Sequence, residues 1–150
     1  MKRKITYKDL VKMNPCYMPD EIGIGKGYSA TVSEFIKEFR DKVKSKDDIL
    51  WVVCRKEYMT DRDMRLFAVW CARGALNLVE NPDIRSINAC DVAERFANGD
   101  ATYDELAAAR AAAWDAAWAA ARAAAWDAAR AAARAAARDA QIDKLLTYFK

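Results

Sequence analysis

At 150 residues and a formal charge of +3, the chain is long enough to bury one real core. It is too evenly charged for a dedicated nucleic-acid binder or an acidic DNA mimic. The chain contains no histidine, which removes the usual proton carrier at neutral pH and the Ser/His and Cys/His nucleophile pairs.

The positive excess sits near the N-terminus, where residues 1–60 hold 13 Lys/Arg against 9 Asp/Glu. Cys16, Cys54, Cys71 and Cys90 are 38, 17 and 19 residues apart. With no close pair among them, they are expected to be free and mostly buried thiols rather than zinc ligands. Met1–Lys4 is followed by polar residues, so no secretory leader is expected. The later alanine tract is interrupted by charge too often to supply the roughly 20 apolar residues of a membrane span. The expectation is a soluble, cytoplasmic protein without a membrane partner.

Residues 1–30 are expected to form an arm with one short helix, in which Thr6 and Asp9 cap a turn carrying Tyr7, Leu10 and Val11. Pro15, Pro19, Gly23, Gly25 and Gly27 then break the chain. The glycines suggest a phosphate loop only superficially, because no buried strand precedes them and no Lys-Ser/Thr ending follows.

Residues 31–100 are expected to form a helical core. Thr31 with Glu34 is a capping box ahead of Phe35, Ile36 and Phe39 at helical spacing. Ser45 with Asp48 starts a second helix through Ile49–Val53, the one stretch with any strand character, whose flanks argue helix. Thr60 with Asp63 opens a third helix that is apolar nearly all round from Leu66 to Val79, as expected of a helix surrounded by others. Asn81-Pro82 is expected to start a fourth, ending at Asn98-Gly99. In that helix Ile84, Ile87 and Phe96 should face inward, and Asp91 and Arg95 should pair at i,i+4.

Thr102 with Glu105 caps the last element, residues 101–150. From Arg110 onward a large side chain stands at every fourth position with little but alanine between: Arg110, Trp114, Trp118, Arg122, Trp126, Arg130, Arg134 and Arg138. No Gly or Pro follows Gly99, so one long helix is expected. At about 100° per residue the large residues wind around the axis, whereas Leu106, Ala113, Ala117, Ala120, Ala124, Ala131, Ala135, Ile142 and Phe149 stay on one narrow stripe. That stripe of small residues is the expected buried seam. As one helix, Thr102–Phe149 would run roughly 70 Å and overhang a domain about 40 Å wide. Its apolar tip, with Ile142, Leu145, Leu146 and Phe149, then needs a cover. A second copy paired antiparallel is the expected one. The overall expectation is an all-α single domain, a bundle of four to five short helices followed by one long Ala-rich C-terminal helix.

The tryptophans leave two readings open. They pack on the preceding helices or a partner copy, or they form a docking surface, since Trp and Arg most often anchor interfaces. A nucleotide or single-stranded nucleic acid gripped by stacking is a weaker third, opposed by Asp115, Asp127 and Asp139 in the same repeat.

Residues 31–149 resemble a family of alanine-rich immunity proteins of the immunity-protein-five-like kind. The carriers are SEFIKEFRDKV from Ser33, AVWCARGALNLV from Ala68, the linker FANGDATYDELAAARAAAW from Phe96, and QIDKLLTYF from Gln141. The resemblance implies an all-helical inhibitor that neutralises a toxin by protein–protein occlusion. The chain departs from the family's usual look in its Lys-rich, Gly-containing N-terminal arm. It also lacks the histidines and tyrosines often scattered through the alanine tract.

Trp114, Trp118, Arg122, Trp126, Arg130 and Arg134 are the candidate partner-binding residues. No catalytic, cofactor or metal site is expected, and no enzyme. The alternative is a phage or mobile-element anti-defence protein that binds an anionic ligand, such as a nucleotide signal or nucleic acid, or a host defence protein.

Overall fold

The computed structural model describes residues 4–123 and 130–149; within 118–123 and 130–136 it describes the backbone and, among side chains, that of Arg134 alone. The elements in chain order are β1 (Lys4–Thr6), α1 (Tyr7–Lys12), a 3-10 turn (Pro19–Ile22), β2 (Ser29–Thr31), α2 (Val32–Phe39), α3 (Lys46–Val53), α4 (Asp61–Leu76), α5 (Ile84–Asn98), α6 (Tyr103–Ala123) and α7 (Arg130–Tyr148). The chain is mostly helical, and it divides into two compact units, residues 1–60 with 138–150, and residues 61–137.

The caps follow the sequence closely in the first unit. Thr6, Thr31 and Ser45 each accept from the backbone of their helix's first turn, and Asp9, Glu34 and Asp48 reach back to close the box. Each box satisfies two amide donors that a bare helix start leaves unpaired. Ile49–Val53 is helical, as its flanks predicted.

The strands are a departure from all-α. β1 and β2 pair antiparallel, with Ile5 opposite Ala30, and both of those side chains are buried. Three-residue strands contain a single inward position, so no alternation exists for a sequence reading to detect. Between them the chain turns through Asn14 at φ 56 and Gly23 at φ 85, left-handed positions that Asn and Gly tolerate best.

Around this hairpin the first unit buries Ile24, Phe35, Ile36, Phe39, Ile49, Val53 and Met59 almost completely. Phe39 stands edge-on to Tyr28 at 5.5 Å and tilted against Phe35 at 5.5 Å. The last turns of α7 complete the same core, where Ile142 and Leu145 are 0% exposed. A charged collar fixes this segment: Arg40 pairs with Asp143, Lys46 lies 3.1 Å from Asp139, and Arg138 pairs with Asp47. The apolar tip expected to need a second copy is therefore covered by its own chain. Whether α6 and α7 form one uninterrupted rod lies outside the described residues.

In the second unit α5 packs against both α4 and α6. Val92, Leu106 and Ala109 form its buried centre, with Ala89, Ala93, Phe96 and Ala101 packed around them. The seam of α6 is displaced from the expected stripe. Leu106, Ala109 and Ala116 are buried, Ala113 is half-buried and Ala117 is exposed. Steps of 3, 4 and 3 residues are the heptad rhythm of helices that coil around a neighbour, whereas the expected stripe assumed a straight helix.

Other expectations fail here for local reasons. α5 is capped by Asp83 in place of Asn81-Pro82; its carboxylate accepts from the Arg85 amide at 2.9 Å and grips the Arg85 guanidinium at 2.7 and 3.0 Å. Asp91 and Arg95 do not pair. Asp91 and Glu94 both engage Arg73 of α4, while Arg95 reaches Glu105 at 3.1 Å and the Asp100 carbonyl at 2.9 Å. Partners across helices outcompete a weak i,i+4 pair. The end of α5 at Gly99, φ 87, is as expected. α4 stops at Leu76 and buries only Phe67 and Val69, so its apolar circumference is not enclosed within its unit.

Candidate functional site

Of the six candidate residues, Trp114 and Arg134 have described side chains, and both are exposed. Trp118 and Arg122 lie in α6 and Arg130 opens α7, with side chains outside the described residues, as is the whole of Trp126. Trp114 is 69% exposed, so it does not pack on the preceding helices. It stands about 120° around α6 from the buried seam, taking 100° per residue.

The structure adds three exposed apolar residues of the same unit that sequence reasoning missed. Leu78 and Val79, in the turn after α4, are 71% and 51% exposed, and Ile84, the first residue of α5, is 72% exposed. Arg85 feels the carboxylate of Asp115, which places the Trp114 turn of α6 at the same end of the unit as the start of α5. Ile84 was expected inward because an apolar residue at helical spacing usually is. The missing signal was its position beside Asp83, on the first, unpaired turn of the helix.

Four helix carboxylates are held in caps and ion pairs. Glu34 holds the Thr31 cap, and its carboxyl is held below the usual range by the Thr31 amide and then the hydroxyl. Glu38 pairs with Lys42 at 3.6 Å, and Asp91 and Glu94 share Arg73, whose guanidinium they hold above its ordinary pKa.

A second feature lies in the first unit and had no counterpart in the sequence reading. A cavity of about 350 Å³ is walled by apolar side chains of α1, the 3-10 turn, α2 and α3, including Leu10, Ile22, Phe35 and Val52. Its polar positions are Asn14, Cys16, Tyr17, Asp47 and Asp48.

The Tyr17 hydroxyl donates to Asp48 at 2.7 Å, and burial, reinforced by that bond, pushes the phenol up to about 12. Asp48 also accepts from the Ser45 amide at 3.0 Å, so a helix cap doubles as cavity wall. Lys44 sits 4.4 Å over the Tyr17 ring and Arg55 4.4 Å over the Trp51 ring, which steadies both aromatic groups. Such cavities arise from how α1–α3 meet, and Pro15 and Pro19 on either side of Cys16 and Tyr17 were the only trace of it in the sequence.

Among the described residues no helix is long and apolar enough to cross a membrane. No family model, curated protein or solved structure matches this chain.

Proposed function

We propose that the protein is a helical binding module that acts by occluding a protein partner, with the end of the second unit as its contact surface. The observation that carries this is the joint exposure of Leu78, Val79, Ile84 and Trp114 at one end of a three-helix unit. Large exposed apolar groups are a common mark of an interaction site, and Trp is among the residue types that most often anchor one. The capped and ion-paired carboxylates favour binding over catalysis, since each of Glu34, Glu38, Asp91 and Glu94 is held by a cap or a cation.

A toxin is the partner class that the immunity-protein resemblance points to, with Trp118, Arg122, Trp126, Arg130 and Arg134 as candidate extensions of the patch. Anion capture along the arginine series has less support, because Arg138 is already engaged by Asp47 and Gln141. Self-association through the alanine-rich helix is the competing occupant of this face, although the covered α7 tip no longer calls for it.

Cross-linking in the native host, followed by titration of each purified partner against wild type and Ile84→Ser/Trp114→Ala, tests the proposal. At least a tenfold loss of affinity in a variant of unchanged thermal stability is expected. Equal capture and equal affinity would overturn the reading. Light scattering after size exclusion separates self-association, since a monomer weighs 16.9 kDa and a dimer twice that.

A further inference from the structure

We propose that the cavity of the first unit binds a compact hydrophobic amine, with the apolar body buried among Leu10, Phe35 and Val52 and the donor head turned to Asp47, Asp48 and Tyr17. The inference goes beyond the occlusion proposed for the second unit and is independent of it.

Volume comes first. About 350 Å³ lies at the low end of the range of small-molecule sites, so it suits a one- or two-ring molecule. The lining is mostly apolar and opens to water on one side, the form that a small-molecule cleft usually takes.

Charge selects the head group. Among the described residues the charged side chains in the wall are Asp47 and Asp48, and no Lys or Arg lines it. An anion entering this space meets two carboxylates, whereas a protonated amine meets acceptors. Asp47 is engaged by Arg138, and Asp48 by the Tyr17 hydroxyl and the Ser45 amide. A carboxylate offers about four lone-pair sites, so these bonds leave room for a further donor. The Tyr17 phenol, held neutral, stays compatible with a cation nearby. Lys44 and Arg55 over the rings oppose the added charge and limit the preference for a cation over a neutral alcohol.

Access is shown by the wall residues that also face water: Trp51 is 42% exposed and Cys16 is exposed. A free, exposed thiol in the wall supplies a direct reporter of occupancy.

The test uses the full chain and three probes that share one aromatic body: naphthylmethylamine, naphthylmethanol and naphthoate. Calorimetric titration is expected to give saturable binding of the amine at least tenfold tighter than naphthoate, with the alcohol between. Bound amine should slow alkylation of Cys16, read by peptide mapping, and leave alkylation of Cys71 unchanged. Val43→Trp, which fills the cavity from a half-buried wall position, should abolish binding if the variant folds. Trp114→Ala should bind the amine as wild type does. No saturable binding by any probe, naphthoate binding as tightly as the amine, or unchanged Cys16 alkylation under saturating amine would each overturn the proposal.

Discussion

The burial of the α7 tip can be tested by truncating its two most enclosed side chains. Ile142 and Leu145 are both 0% exposed and three residues apart on one face of α7. Replacing either with Ala removes three carbon atoms from the first unit's core. At about 0.8 kcal/mol per buried carbon the transfer loss is about 2.4 kcal/mol. A residual cavity adds about 1 kcal/mol where neighbours cannot collapse, giving about 3–4 kcal/mol for each variant. The pair shares neighbours, so the double variant should fall short of the sum of the singles. Even one substitution removes a large share of the roughly 5–15 kcal/mol that holds a domain folded.

Thr147→Ala, at an exposed position of the same helix, is the control and should stay within about 0.5 kcal/mol of wild type. Urea unfolding followed by circular dichroism gives the free energies, and hydrogen exchange gives the location. Faster exchange should concentrate in α2 and α3. Losses under 1 kcal/mol in both variants, or exchange raised in α5 and α6 while α2 and α3 stay protected, would refute the claim that this chain covers its own tip.

Ala109→Leu should overpack the α5–α6 seam and cost about 1–3 kcal/mol, while Ala117→Leu, on the exposed side, should stay within about 0.5 kcal/mol in the same urea experiment. Thr31→Ala, which opens the α2 capping box, should lower stability by about 1 kcal/mol, with Thr31→Ser close to wild type. On the acid side, Asp83 is held at about 2 by Arg85, and Glu34 and Glu105 are held below their usual range by the Thr31 and Thr102 caps. Their folded-state values are lowered, so their contribution is present above the unfolded carboxyl values and disappears as pH falls from about 4 to about 2. On the alkaline side, burial raises Tyr17, Tyr28 and Tyr58 to about 12. That contribution is complete below about pH 10 and disappears as pH rises toward 12, in step with tyrosinate absorbance. With no histidine in the chain, the melting temperature should be level between about pH 5 and 8.

What the sequence revealed and what it hid divide along one physical line. Caps are short-range chemistry, three residues between a hydroxyl and a carboxylate, and Thr6, Thr31, Ser45 and Thr102 all stand where that spacing put them. The α6 seam is different. Leu106 is its only large buried side chain in the described part, and the alanines that follow are interchangeable until a neighbour selects some of them. A stripe drawn through them carries only the period assumed for it, and coiling against α5 changes that period from 3.6 toward 3.5 residues per turn. Asp91 and Arg95 repeat the lesson in polar form, since a pairing expected within one helix gave way to Arg73 of α4 and Glu105 of α6. Leu78, Val79, Ile84 and Trp114 are informative for the same reason. Each is apolar, sits next to or within a helix whose pattern would bury it, and is nevertheless exposed. Local propensity and tertiary packing agree over most of a well-folded chain, and their disagreement concentrates where something besides stability constrains the residues. In this protein four such residues lie in the second unit, where α4 ends, α5 begins and α6 passes Trp114, which is why the docking surface is proposed there and not along the arginine ridge as a whole.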